Sequence, residues 1–149
     1  MTVSSQSDPF DLQRFVGAQN GAMDSVFEEL RTGRKHGHWM WFVFPQVVGL
    51  GNSPAAVRFA IRSSDEARAY LEHDLLGPRL VKCTRLVFEC GTSDIDLIFG
   101  TPDNLKFRSS IKLFEHVSEN SDSVFASALD RFFDGRPDRR TLDYLASSG

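Results

Sequence analysis

Two short stretches of this chain carry the residues whose types and spacing could do chemistry. The first runs from Arg34 to Gln46 and holds both tryptophans and two of the four histidines within thirteen residues. The second begins at Lys106 and adds two hydroxyl groups, those of Ser109 and Ser110, within five residues. An ammonium group and hydroxyls can together bind an anion, and a histidine can exchange a proton near neutral pH.

The second stretch lies on a helix predicted for residues 101–117, in which each residue turns by about 100°. With Lys106 at zero, Ser110 lies near about 40° and Ser109 near about 300°, on the side of the apolar Leu113 and Val117. Buried polar groups need partners. One interpretation is structural: the lysine extends towards water and the serines bond to backbone carbonyls. The other is a pocket for an anion built from Lys106, Ser109 and Ser110.

The first stretch is open to several interpretations. His38, beside a pocket that contains Gln46, could act as a general acid or base, and the alternative is a histidine that only bonds to structure at the core edge. Trp41 joins Gln46 among the ligand-binding candidates. His36 and His38 do not predict a metal site, because residues two apart share a face only in a strand and this segment is predicted to be helical.

Binding of single-stranded nucleic acid is a further interpretation of the region from Arg31 to Trp41. Its cations would meet phosphates and its indoles would stack on bases. Against it, the aromatic residues sit in an unbroken apolar run, which is typical of a core. The chain is also acidic, with a formal net charge of -3, whereas nucleic-acid-binding domains are usually basic.

The composition predicts one soluble domain: 149 residues, 41% hydrophobic and 25% charged. Cys83 and Cys90 are expected to be reduced thiols, seven residues apart in one helix and too distant to bridge. No segment resembles a signal peptide or a membrane span, so we expect a cytoplasmic protein. Asp94 and Asp103 lie at helix N-termini, where the helix dipole accounts for them. No nucleotide-binding, hydrolase or CxxC motif is present, and no cofactor is predicted.

Hydrophobic periodicity and cap signals predict a single all-α domain of about eight helices over residues 8–146, after a disordered tail, residues 1–7. Ser63 and Glu66 form a capping-box pattern, and Gly33 stands where a helix-ending glycine belongs. The helix of residues 77–89 is apolar over most of its circumference and should be central. The predicted helices cover residues 8–18, 23–32, 39–44, 53–61 with a continuation to about 73, 77–89, 94–99, 101–117, about 122–134, and a last short one around Leu142 and Leu145.

Several motifs together resemble a known family: HWMWFVFPQ at 38–46, GLG at 49–51, IFG at 98–100 and LKFRSS at 105–110. They resemble a widespread bacterial family of small proteins catalogued as a domain of unknown function. The resemblance covers roughly residues 8–145. It implies a compact all-helical domain and no established activity. Some family members carry an automatic "calpastatin" label, which would suggest protease inhibition. Calpastatin inhibitory segments are disordered, whereas this chain is predicted to be globular.

The sequence therefore leads to one hypothesis and one alternative. The hypothesis is a small soluble domain that binds a small anionic ligand, such as a nucleotide, in a pocket between residues 38–46 and the helix of Lys106–Ser110. Whether the protein is also an enzyme is left open, with His38 as the candidate catalytic residue. The alternative is a protein-interaction module without catalytic activity, which should expose an apolar patch.

Overall fold

The computed structural model describes residues 8–50, 53–91, 94–118 and 123–133, together with Thr141. In these ranges the chain forms nine α-helices and no β-strand, which confirms the predicted all-α fold. The predicted tail, residues 1–7, and the predicted helix around Leu142 and Leu145 lie outside the described residues. The helices are α1 (Gln13–Gln19), α2 (Met23–Arg31), α3 (Met40–Val43), α4 (Pro54–Arg58), α5 (Ser64–Glu72), α6 (Leu76–Glu89), α7 (Ile95–Phe99), α8 (Asp103–Val117) and α9 (Val124–Phe133).

The first helix begins later than the sequence predicted. Asp8 does provide a cap, since its carboxylate accepts hydrogen bonds from the backbone N–H groups of Leu12 (2.7 Å) and Gln13 (3.0 Å). Asp11, however, has a positive φ of 52°, which interrupts a right-handed helix. The prediction that the helix starts at Pro9 was therefore wrong, and residues 9–12 form a turn that leads into α1.

The helix predicted for residues 53–61 ends early, at Arg58, for a tertiary reason. Ile61 donates its N–H to the Gln46 carbonyl at 2.8 Å, and the Val48 N–H donates to the Ile61 carbonyl at 2.9 Å. The two segments thus form an isolated parallel bridge. This pairing holds the chain extended where local periodicity favoured a helix. It also joins the end of the aromatic stretch to the segment after α4.

The aromatic stretch forms a short buried helix, as predicted. α3 ends at Val43, two residues before Pro45. Phe44 is fully buried and makes edge-to-face contacts with Phe99 and Phe107, at centroid distances of 5.9 and 5.0 Å. Phe44 therefore ties α3 to α7 and α8, where aromatic pairs add to ordinary burial.

The predicted central helix, α6, packs against α2, α5 and α9. Its Leu80, Cys83 and Val87 are buried. Cys83 and Cys90 are both free thiols. Burial raises the pKa of Cys83 to about 12, so this thiol stays protonated and unreactive at neutral pH. None of the helices in the described ranges is both long and apolar enough to cross a bilayer.

Arg14 and Glu66 form a buried ion pair that joins three segments. The two side chains are 8% and 4% exposed, and Arg14 Nη2 lies 2.7 Å from Glu66 Oε2. Arg14 also donates to four carbonyl oxygens, those of Phe10, Asp11, Arg58 and Ala60, at 2.6 to 2.9 Å. The second Glu66 oxygen accepts from the Arg62 N–H. All five guanidinium N–H donors are thus used.

We predict that Arg14→Met lowers the free energy of unfolding by about 3–5 kcal/mol, because it leaves the Glu66 carboxylate buried without its cation. Urea unfolding followed by far-UV circular dichroism at pH 7 measures the change. The matched control is Arg68→Met, which removes an exposed ion pair with Asp65. It should cost less than about 1 kcal/mol. Equal losses in the two variants would contradict the structural role given to Arg14.

Candidate functional site

A narrow cleft lies where α3, α4 and α8 meet the bridge between residues 47 and 61. It encloses about 290 Å³ of empty space, counting the part open to solvent, of which about 10 Å³ admits the centre of a water molecule. Its polar groups come from Gln46 and Lys106. Its other walls are apolar: Met40, Trp41, Phe44, Val47, Ala56, Phe59 and Ala60. Apolar walls with a few convergent polar groups are typical of small-molecule sites.

Lys106 covers the indole of Trp41 at this cleft. Its Nζ lies 4.2 Å from the ring centroid, within the range of a cation–π interaction. The side chain is 22% exposed and, within the described ranges, has one ion-pair partner, the Asp103 carboxylate, at 3.3 Å. The ammonium group is therefore partly shielded from water and still has N–H donors that could bind another acceptor.

Asp103 links two lysines, which the dipole interpretation of its position missed. Its Oδ1 contacts Lys106, and its Oδ2 lies 2.8 Å from Lys35 Nζ. Lys35 also donates to the Gly37 carbonyl and lies 5.2 Å from the Trp39 ring centroid. The spacing of Asp103 and Lys106 on one helix could have indicated their contact. The partnership with Lys35, from a distant part of the chain, had no local signal.

Glu29 holds the loop that leads into the aromatic stretch. Its Oε1 accepts the backbone N–H groups of His36 (2.7 Å) and Gly37 (2.9 Å) and the indole N–H of Trp39 (3.0 Å). Partial burial alone would raise the pKa of Glu29. The hydrogen bonds from Gly37, His36 and Trp39, with the charge of the His36 ring, outweigh it and lower that pKa below its ordinary value.

The structure brings together only some of the residues selected from the sequence. Trp41, Gln46 and Lys106 line the cleft, whereas His38, Ser109 and Ser110 are not among its lining residues. His38 is exposed. Within the residues that the structure describes, no hydrogen bond engages the Gln46 side-chain amide.

The two serines of α8 differ from each other. The Ser109 hydroxyl donates to the Leu105 carbonyl at 3.1 Å, as the structural interpretation expected. The Ser110 hydroxyl is fully buried and has no hydrogen-bond partner in the described part of the chain. A buried hydroxyl without a partner is uncommon, so Ser110 keeps its place among the candidates.

The described ranges give little support for a metal site or for nucleic-acid binding, and they expose two large apolar side chains. No three His, Cys, Asp or Glu side chains there are grouped so as to hold a metal ion. Trp39 is 4% exposed and bonded to Glu29, so its indole is not available to stack on a base. The most exposed large apolar side chains are Leu97 (58%) and Leu105 (52%), on the neighbouring helices α7 and α8.

Comparison with known proteins identifies the family to which the chain is similar. Residues 9–145 match the family described as "Protein of unknown function (DUF1810)". The chain is similar to the conserved hypothetical protein Rv1873 from Mycobacterium tuberculosis, whose crystal structure is known. The two share 55% identity with a TM-score of 0.90, over 93% of this chain and 99% of the other. No curated protein matches the chain. The resemblance inferred from the motifs is thereby confirmed.

We predict that acid releases the loop held by Glu29. Because the folded pKa lies below the ordinary value of 4.5, the anchoring is complete above that pH and is lost as pH falls through the folded pKa. In Trp41→Phe protein, Trp39 fluorescence should therefore change only after the pH has fallen below 4.5. The added Glu29→Gln substitution should remove this transition.

The control for that experiment is Glu28→Gln, which alters a neighbouring exposed carboxylate paired with Arg31. It should leave the transition of Trp39 fluorescence in place. Far-UV circular dichroism recorded in parallel separates loop release from unfolding of the helices. The same acid transition with and without Glu29→Gln would show that another group causes it.

Proposed function

The chain belongs to the DUF1810 family of proteins of unknown function, and we propose that it binds a small anionic ligand, such as a nucleotide, in the cleft between residues 38–46 and the Lys106–Ser110 turn of α8. One observation carries the proposal. The Lys106 ammonium stands at an apolar cleft, over the Trp41 indole, with a single ion-pair partner among the residues that the structure describes.

The groups at the cleft define the chemistry of the ligand. Lys106 offers N–H donors to an oxyanion, and Gln46 offers both a donor and an acceptor. Trp41 and Phe59 provide flat apolar surface for a ring. A ligand with a planar body, one hydrogen-bonding edge and a negatively charged group would meet all of these features.

The net charge around Lys106 favours the binding of an anion. Lys35 and Lys106 carry two positive charges and Asp103 carries one negative charge, which leaves a net charge of +1 at this end of the cleft. Since the cleft is narrow, Lys106 must move away from Trp41 for a ring to enter. The ring of the ligand would then stack on the Trp41 indole in place of Lys106. The displaced Lys106 ammonium would donate a hydrogen bond to the ligand at the mouth of the cleft.

Ser110 and His38 are further candidate residues of the proposed site, and no reaction is assigned to them. Ser110, one turn beyond Lys106 on the same face, brings a buried hydroxyl towards that side of α8. His38 remains the candidate acid or base, as the residue just before the Trp39–Trp41 segment. We place the protein in the cytoplasm, where the two free thiols would stay reduced.

The second candidate function is a protein-interaction module. The exposure of Leu97 and Leu105, on two helices that pack together, favours it. Replacing both leucines with glutamate would abolish binding to a partner without affecting small-molecule binding in the cleft. The two functions are therefore separable by mutation.

We predict that an anionic ligand raises the Tm of the protein and that Lys106→Met abolishes this effect. At a ligand concentration about 100 times Kd, the native state gains about 2.7 kcal/mol, or about 5–10 °C in Tm for a chain of this size. A thermal-shift screen of nucleotides, sugar phosphates and carboxylates measures it. The control is Lys112→Met, since Lys112 lies on the same helix with 18% exposure and pairs with Glu115.

A second readout places the ligand in the cleft. In Trp39→Phe protein, Trp41 is the remaining tryptophan, so binding at the indole should change its fluorescence with the same Kd as the thermal shift. A ligand whose thermal shift survives Lys106→Met, or leaves Trp41 fluorescence unchanged, binds elsewhere. Either result would rule out the cleft as its site.

A further inference from the structure

The carboxylate of Asp103 is shared unequally between two lysines, and this inequality decides which of them can leave. Lys35 Nζ lies 2.8 Å from Asp103 Oδ2, and its side chain is 8% exposed. Lys106 Nζ lies 3.3 Å from Oδ1, and its side chain is 22% exposed. Charges that are buried and close interact more strongly than charges that water and salt can screen. Lys35 is therefore the fixed partner of Asp103, and Lys106 is the partner that can be exchanged.

Further contacts hold Lys35 in its place. Its backbone N–H donates to the Ile98 carbonyl at 2.8 Å, which ties it to α7. Its ammonium group donates to the Gly37 carbonyl and lies 5.2 Å from the centroid of the Trp39 ring, which is itself bonded to Glu29. Lys35 is thus anchored through both its backbone and its side chain, although it does not itself line the cleft.

Lys106 has two weak attachments, and both lie at the cleft. Besides Asp103, its ammonium group contacts the Trp41 indole, 4.2 Å from the ring centroid. A surface ion pair and a cation–π contact are each weak where water reaches them. When Lys106 leaves the indole, Asp103 still has Lys35 beside it. The movement therefore leaves no partly buried carboxylate without a cation, which would oppose it.

We propose that Asp103 and Lys35 are positioning residues of the cleft, which act through Lys106 and set how readily a ligand displaces it from Trp41. The inference rests on the proposed function, since it concerns the same cleft. Asp103 holds Lys106 over the indole and competes with the anionic group of a ligand for its ammonium group. Lys35 limits that competition because it neutralises part of the charge of Asp103.

The test measures how well small quenchers reach Trp41 in Trp39→Phe protein, where it is the remaining tryptophan. Acrylamide is neutral and reports the cover over the indole, whereas iodide is an anion and also reports the charge beside it. Asp103→Asn should raise the bimolecular quenching constant of acrylamide about twofold, and that of iodide more, because it releases Lys106 and removes a negative charge. Lys35→Met should lower both constants, because both oxygens of Asp103 then attract Lys106.

A double-mutant cycle shows whether Asp103 acts through Lys106. In Lys106→Ala protein, where the side chain no longer covers the indole, Asp103→Asn should leave acrylamide quenching unchanged. A substitution that merely loosened the fold would raise it in either background. The matched control is Glu115→Gln, which neutralises the carboxylate paired with Lys112 on the same helix and should change neither quenching constant.

Three results would each overturn the proposal: an acrylamide constant that does not rise in Asp103→Asn, one that rises equally when Lys106→Ala is also present, or one that does not fall in Lys35→Met. Fluorescence lifetimes recorded in parallel convert the quenching data into bimolecular constants. The experiment uses no ligand. Its failure is therefore distinct from failure of the proposed function, which the thermal-shift screen tests.

Discussion

The guanidinium of Arg14 is the interaction on which one wall of the cleft depends. It bonds to the carbonyls of Arg58 and Ala60, which flank Phe59, and to the Glu66 carboxylate at the start of α5. The segment after α4 has left its helix to bridge residue 47, so these carbonyls would otherwise lack helical partners. Phe59 and Ala60 form that wall of the cleft. One buried ion pair thus sets the position of a wall of the candidate site.

Two carboxylates, those of Glu29 and Asp103, hold the aromatic stretch, residues 34–46, in position. Glu29 collects three N–H groups from the loop before α3, and Asp103 joins Lys35 of that loop to Lys106 of α8. These contacts separate the two tryptophans by role. Trp39 is buried and hydrogen-bonded within the fold, whereas Trp41 faces the cleft beneath a cation. Two tryptophans separated by a single residue therefore have different surroundings: Trp39 is bonded within the fold, and Trp41 lines the cleft.

Local rules predicted the elements better than the contacts between them. Gly33 has the expected positive φ after α2, and the Ser63 cap of α5 is present, because both depend on residues within one helical turn. The prediction of a helix up to Ile61 was wrong because its backbone pairs with Gln46, fifteen residues earlier. Rotation about α8 indicated that Lys106 faces inward. It could not indicate that the side chain would meet Trp41, which is brought there by tertiary packing.

The distribution of unused hydrogen-bonding groups is the strongest physical argument for the cleft. Arg14 uses every donor it has, Glu29 accepts three bonds on one oxygen, and Lys35 is bonded to a carboxylate and a carbonyl. In the described part of the chain, these three side chains, which stabilise the fold, thus each bond to two or more groups of the protein. Gln46 and Lys106 differ, since an amide without a hydrogen bond and an ammonium with one ion-pair partner face the same apolar surface. Leaving such groups unsaturated beside apolar walls adds little to stability, but it supplies the donors that a ligand requires.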